Sequence, residues 1–137
     1  AETTLEEMDA LKNQQLTALY RGDVWGSVHD AGGGSGTHLM ENGQVAMQVD
    51  FGHAAMLGAL GFDANGQRWE VNINEAIMEE NGFVVTRIGV PQNADVMIDQ
   101  YNMSGEFYGP EAEAMGGGFQ MISQDHQVAI GAFGAQR

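Results

Sequence analysis

The sequence predicts an all-β protein, an eight-stranded antiparallel β-barrel with one N-terminal α-helix packed on its outside. Hydrophobic and polar residues alternate along most of the chain, which is the period of a half-buried strand. Turn-forming residues separate these segments at short intervals, and helical periodicity is confined to the N-terminus. Because no βαβ crossover is indicated, successive antiparallel strands close most economically into a barrel, which leaves no exposed edge.

The helix is predicted from Thr3 to about Tyr20. Thr4 and Glu7 have the spacing of a capping box, which satisfies backbone donors at the start of a helix. The chain therefore divides into a helix over residues 1–18 and a barrel domain over residues 19–137. Apolar residues recur at helical spacing and must be buried against the barrel: Leu5, Met8, Leu11, Leu16 and Leu19.

From Leu19 onward the period changes to two, and Tyr20, Val24 and Val28 share one face of the first predicted strand. The AGGGSG run at residues 31–36 predicts a flexible loop. Later segments alternate in the same way, and one residue in two is predicted to point into the barrel. The inward side chains are expected to be Val45, Met47, Val49, Phe51, Trp69, Val71, Ile73 and Phe119.

Residues 54–62 are apolar on both faces, so Leu57 and Ala59 on the outward face need a cover. We expect the N-terminal helix to provide it. Trp25 lies on the polar face of the first strand and is either covered by the same helix or exposed to a partner. Because the helix needs a docking surface, the covered state is favoured.

The DANG sequence at residues 63–66 predicts a tight hairpin turn. Asp63 also begins like a calcium-binding loop, but the following residues form a strand pattern and no glutamate occupies the twelfth position. The hairpin is therefore favoured. Residues 95–108 form a long strand whose alternation slips near Asp99 and Gln100, which indicates a bulge. The last two strands are predicted at residues 119–122 and 128–133.

Acidic residues dominate the charge of the chain, with nineteen against five basic residues and a net charge of −14. Such a surface repels phosphate backbones, so nucleic acid is not expected as a partner. No run of 18 apolar residues predicts a membrane span. There is no cysteine, which removes disulfides and thiolate chemistry. Residues 1–10 are unlike a signal peptide, which leaves open whether a signal has been removed or the chain is part of a longer protein.

Histidines are the candidate ligands for haem or a metal ion. No two have HxH or HxxxH spacing and all lie near predicted loops or strand ends, so we expect solvated side chains, no metal site and no cofactor. No serine stands in a GxSxG elbow and no lysine completes a phosphate loop, so we expect no enzyme. The four histidines are His29, His38, His53 and His126. The binding candidates are Trp25, His29, His38 and His53.

The C-terminal third carries a distinctive pattern, SGEFYGPEAEAMGGGF at residues 104–119 and GAFGAQR at residues 131–137. Together with VAMQVDFG at residues 45–52, it resembles the barrel domains of bacterial transferrin-binding protein B and of related surface lipoproteins and solute-binding proteins. The resemblance covers residues 44–137. It implies a barrel fold more strongly than it implies a ligand, because the matching residues are structural.

Within this motif, Gly109 and Pro110 are expected to turn the chain. Residues 111–115 are predicted to form a short helical turn, and the glycines at 116–118 to bend the backbone into the next strand. A turn and bend of this kind can close one end of a barrel.

The resemblance implies a role at the outer surface of a bacterium in iron or haem acquisition. Family members are often larger, with an N-terminal half that engages the partner, and this chain has no lipid-attachment cysteine. We therefore expect a non-catalytic binding or accessory barrel domain of a bacterial secreted or cell-surface protein, with a protein partner. A periplasmic location stays open.

Two alternatives remain, a lipocalin-like carrier of a small hydrophobic ligand and a structural module of a larger secreted protein. A ligand-sized cavity favours the carrier. A filled interior with an exposed apolar patch on the outside favours a protein partner.

Overall fold

The structure is a computed structural model that describes residues 1–32 and 36–137. Residues 33–35 of the predicted 31–36 loop lie outside the described residues. Helix α1 spans Leu5–Asn13. The described β-segments are β1 (Thr17–Asp30), β2 (Thr37–Leu39), β3 (Glu41–Asp50), β4 (Ala55–Ala64), β5 (Gln67–Glu79), β6 (Gly82–Gly89), β7 (Ile98–Tyr108), β8 (Ala114–Ser123) and β9 (Gln127–Gln136).

The β-segments close into a barrel because β1 has a partner on each of its edges. Neighbours pair antiparallel in chain order from β3 to β9, and β1 pairs with both β3 and β9. Segments β2 and β3 follow one another along the same edge of β1, at residues 27–29 and 17–23 respectively. The segments therefore form eight barrel strands, which confirms the predicted fold class.

The core occupies the inside of the barrel. All eight side chains predicted to point inward are buried, with no more than 5% of their surface exposed. Phe62 stacks on Trp69 and Phe119 with ring centroids 5.5 and 6.0 Å apart. Alternation along the strands thus identified the inward face correctly.

Inward glycines make room for the largest rings of the core. A Cβ atom on Gly131 would lie 2.6 Å from the Phe119 ring, and one on Gly105 would lie 2.6 Å from the Phe83 ring. Each ring therefore fills the space above a glycine of the neighbouring strand. This matching of large to small side chains packs the interior closely at these positions.

Helix α1 is shorter than predicted. Thr4 and Glu7 form the expected capping box, but the helix ends at Asn13 and β1 begins at Thr17. The prediction of a helix to about Tyr20 was wrong because the residues from Thr17 onward pair with β3 as a strand. The backbone amide of Phe51 donates to the carbonyl of Leu16, which places that residue at the edge of the β1–β3 pairing.

The helix lies outside the strands and covers one end of the barrel. The Thr3 amide donates to the Phe107 carbonyl over 2.9 Å, and the Thr3 hydroxyl donates to the Gly109 carbonyl over 2.7 Å. Leu11 is 3% exposed and joins the core. Leu57 and Ala59, which we expected the helix to cover, are exposed on the outside of β4. That expectation was wrong because these contacts hold the helix at the barrel end.

Other local predictions have mixed outcomes. Asn65 and Gly66 have positive φ values of 50° and 75°, as the predicted two-residue hairpin requires. The pairing of β7 with β8 shifts register between Ile98 and Gln100, which confirms the bulge. The predicted helical turn and glycine bend were wrong, since strand β8 begins at Ala114 and includes all three glycines. In the described residues, no helix is long and apolar enough to cross a membrane.

Candidate binding site on the outer face of the barrel

Trp25 projects from β1 to the outside of the barrel. It pairs across the ladder with Ala132 of β9, and 54% of its surface is exposed. The favoured prediction that helix α1 covers this residue was wrong, because the helix is held at the end of the barrel. Because tryptophan is enriched among the residues that dominate binding energy at interfaces, Trp25 is a candidate contact point.

A groove of about 460 Å³ lies beside Trp25 on the outside of β7, β8 and β9. Its floor includes the small residues Gly116, Gly118 and Ala132, of which Ala132 lies opposite Gly118 across the ladder. Gly134 of β9 lies opposite Gly116. We call this feature the Trp25 groove. Its outward-facing lining residues are Trp25, Ser104, Glu106, Tyr108, Gly116, Gly118 and Ala132.

Two aromatic rings form the walls of the Trp25 groove. The Cη2 atom of Trp25 lies 3.5 Å from the position a Cβ atom of Gly134 would take. The Cε2 atom of Tyr108 lies 3.7 Å from the corresponding position at Gly116. Both rings therefore lean over one pair of adjacent glycines, and Tyr108 is 38% exposed.

The fold does not require glycine at the floor positions. A Cβ atom on Gly118 would have as its nearest neighbour the carbonyl oxygen of Gly131, at an ordinary contact distance of 3.5 Å. Gly117, one residue earlier, faces inward, and a Cβ there would lie 2.0 Å from the Ser104 carbonyl oxygen. Gly117 is thus needed for packing, whereas Gly118 keeps the groove open.

The charged groups at the groove are acidic. Glu106 is half-buried in the lining. Glu2 lies next to it, since Glu2 forms an isolated bridge with Tyr108. A side-chain hydrogen bond that Glu106 donates to Glu2, reinforced by the negative charge of Glu2, raises the pKa of Glu106. The lining contains no basic side chain in the described part of the chain.

A second outer groove, of about 780 Å³, lies on β1, β3, β4 and β5. Its floor includes Ala59, and its rim carries charges of both signs. Arg68 is already engaged there, 3.3 Å from Asp63 and 3.4 Å from Glu70. This groove lacks an exposed aromatic ring, and its lining carries a second arginine, Arg21.

His29 on β1 and His38 on β2 lie on paired strands, but His38 pairs with Val28 rather than with His29. Because successive residues of a strand point to opposite faces, the two histidine side chains leave opposite faces of the sheet. His29 is half-buried near the end of β1, and His38 on β2 is half-buried with a buried Nε2 atom that has no hydrogen-bond partner among the described residues. His53 is exposed in the β3–β4 turn at the opposite end of the barrel, with Nδ1 2.9 Å from Asp50. The solvated state predicted for all four histidines is thus found for His53 and His126 but not for the half-buried pair.

The His53 contact belongs to a turn. The backbone amide of His53 donates to Asp50, and this hydrogen bond is the largest cause of the lowered pKa of that carboxyl. Across residues 1–32 and 36–137, no three His, Cys, Asp or Glu residues form a group that could hold a metal ion. The candidate site is therefore the Trp25 groove and not a group of metal-binding side chains.

The sequence did not identify the floor of the groove. Gly116 and Gly118 are two residues apart and so share one face of a strand, which was a readable signal. The signal was missed because the glycine run was interpreted as a bend. The proximity of Gly134 and Trp25 depends on the register of β1, β9 and β8, which the sequence does not contain.

The fold and the site define a closed antiparallel β-barrel domain with a packed interior and an aromatic groove on its outer face. Residues 13–137 match the family described as the C-lobe and N-lobe beta barrels of Tf-binding protein B. The match spans most of the chain, and the chain belongs to this family. No curated protein matches the sequence.

Solved structures of the same family resemble the chain along almost its whole length. A transferrin binding protein B double mutant from Haemophilus parasuis Hp5 is 25% identical, with a TM-score of 0.71, over 98% of this chain and 27% of that one. The isotype 1 protein from serogroup B Neisseria meningitidis is 23% identical, with a TM-score of 0.71, over 99% of this chain and 28% of that one. The chain therefore spans just over a quarter of these proteins.

A third structure shows the fold alone. The N-lobe domain of lactoferrin binding protein B from Moraxella bovis is 13% identical with a TM-score of 0.52, covering 88% of this chain and 59% of that one. The three proteins are named for two different partners, transferrin and lactoferrin, on one barrel fold, so the fold alone does not specify the ligand.

Proposed function

We propose that this chain is a non-catalytic, protein-binding barrel domain of a bacterial secreted or cell-surface protein that acts in iron acquisition. The observation that carries the proposal is the exposed Trp25 beside a bare floor on a barrel whose interior is filled. Binding then takes place on the outer face of the barrel and needs no chamber inside it.

The packed interior argues against the carrier alternative. A carrier holds its ligand in an enclosed space of several hundred Å³. Here the corresponding space is occupied by fully buried side chains, of which Trp69, Tyr20 and Phe62 are the largest. The grooves of comparable volume lie on the outside of the barrel.

The Trp25 groove has the composition of a protein contact site. Tryptophan and tyrosine are enriched among the residues that dominate binding energy in protein interfaces, because they bury a large area at a small entropic cost. Trp25 stands on β1 and Tyr108 at the end of β7, with β9 and β8 between them, so strands rather than loops set their positions before a partner arrives. A rigid aromatic pair of this kind suits a preformed contact.

Transferrin is the candidate partner, because the family and two of the similar structures are named for binding it. The same relationship supports a location at the bacterial surface. This chain corresponds to just over a quarter of those proteins, so its partner has to be established on the domain itself.

Biolayer interferometry with the immobilised domain tests the proposal. Iron-loaded transferrin is expected to bind, and Trp25→Ala is expected to weaken binding by more than about 1 kcal/mol, the threshold of a significant interface residue. Leu57→Ala is the matched control, since Leu57 is 57% exposed on a different outer face. Thermal melts establish that both variants are folded.

Two results would contradict the proposal. Transferrin that does not bind the wild-type domain removes the proposed partner. A haem titration that produces a Soret shift, abolished by His38→Ala, would replace a protein partner with a cofactor, since the Nε2 atom of His38 has no protein partner among the described residues.

A further inference from the structure

We propose that the Trp25 groove binds an arginine side chain of the partner protein, held between the rings of Trp25 and Tyr108 and paired with the carboxylate of Glu106. The inference rests on the proposed function and adds the chemistry of the contact. It is carried by three features of the groove, namely its walls, its floor and its charge.

The walls suit a flat cation. Trp25 and Tyr108 lean over the adjacent pair Gly134 and Gly116 from two sides. The faces of tryptophan and tyrosine attract cations through the ring quadrupole, and arginine, whose guanidinium is planar and weakly hydrated, is the residue most often found there.

The floor gives the side chain room to enter. Gly118 and Gly116 carry no Cβ although the fold leaves space for one at each position. The groove volume of about 460 Å³ is open to solvent along the outside of β8. A side chain can therefore lie on the floor at Gly118 without any movement of the barrel.

Among the described residues, the groove is lined by an acidic side chain and by no basic one, so a cation that binds there comes from a partner. Glu106 lies in the lining and Glu2 beside it, so a pair of acidic side chains stands at the groove. None of the five basic residues of the chain, which are Lys12, Arg21, Arg68, Arg87 and Arg137, lines the groove. The guanidinium of Arg137 instead donates to the carbonyl of Glu111. An external arginine would neutralise the pair, and the net charge of −14 disfavours a second copy of the chain as the occupant.

A peptide titration followed by NMR tests the inference independently of transferrin. The probe is acetyl-Gly-Arg-Gly-amide, and the matched control is the same peptide with citrulline, which keeps the shape and lacks the charge. The readout is the indole N–H resonance of Trp25, assigned by its loss in Trp25→Phe. Trp69, the other tryptophan, is 1% exposed and serves as an internal reference.

The arginine peptide is expected to shift the Trp25 resonance at millimolar concentration and to leave that of Trp69 unchanged. Glu106→Gln is expected to lower the affinity for the arginine peptide by roughly two- to fivefold, the range for an exposed ion pair. Glu41→Gln is the control, because it removes the same charge from an exposed position on β3.

Three results would overturn the inference. They are a citrulline peptide that binds as well as the arginine peptide, a Glu106→Gln variant that binds like wild type, and an arginine peptide that leaves the Trp25 resonance unchanged. Arginine binding without transferrin binding refutes the proposed partner alone. Transferrin binding that tolerates Glu106→Gln refutes the arginine contact alone.

Discussion

The substitution Gly118→Ala is expected to weaken binding at the Trp25 groove without destabilising the barrel. Gly118 faces outward on β8, opposite Ala132 on β9 and Ser104 on β7. A methyl group there meets its nearest neighbour, the Gly131 carbonyl oxygen, at 3.5 Å, which is an ordinary contact. The same methyl group occupies the floor of the Trp25 groove.

The magnitudes follow from this geometry. Replacing a strand glycine with alanine where no clash results stabilises a protein by about 0.5–1 kcal/mol, because the unfolded chain loses conformational freedom. The melting temperature should rise by roughly 1–5 °C. Binding to transferrin should weaken, since the methyl group removes space that the partner needs.

Gly117→Ala is the matched control one residue earlier. Its Cβ atom would lie 2.0 Å from the Ser104 carbonyl oxygen and 2.9 Å from the Phe133 ring. Overpacking of this kind destabilises by about 1–3 kcal/mol or more. Calorimetry and interferometry on both variants should therefore give opposite stability changes. A Gly118→Ala variant that is destabilised, or that binds transferrin like wild type, would refute the conclusion that Gly118 serves binding rather than packing.

Further predictions concern the barrel itself. Leu11→Ala should destabilise by about 2–4 kcal/mol in thermal or urea unfolding, because Leu11 is buried between helix and core. Leu5→Ala, at a residue 58% exposed, should change stability by less than about 0.5 kcal/mol. Burial raises the pKa of Tyr20 from 10.0 to about 12, so the stability from its neutral phenol is intact below pH 10 and is lost as pH rises towards 12. Tyr20→Phe should flatten that alkaline loss in a pH series of melts.

Alternation of polarity predicted the barrel strands because successive side chains of a strand point alternately into the apolar interior and out to solvent. The same reasoning failed at residues 14–20, where Leu16 and Leu19 fit both a helical stripe and a strand. Pairing of Thr17 with Asp50 resolves the ambiguity, and these residues lie far apart in the sequence. Tertiary pairing therefore overrode local periodicity there.

The site was predicted only in part. The sequence placed Trp25 on the outward face of β1, which is correct, but its exposure depends on where the helix sits. That position is set by hydrogen bonds from Thr3 to residues at the end of β7, a hundred residues away in the chain. No local pattern reports such a contact, so the sequence could not decide between a covered and an exposed tryptophan.

Hydroxyl-radical footprinting of the domain with and without bound transferrin tests the central claim, that the outer face of the barrel at Trp25 contacts the partner. Trp25 and Tyr108 are partly exposed in the free domain, as is Leu57 on another face. Trp25 and Tyr108 are expected to lose reactivity in the complex while Leu57 keeps it. A complex in which Trp25 and Tyr108 react as in the free domain, or in which Leu57 alone is protected, would contradict it.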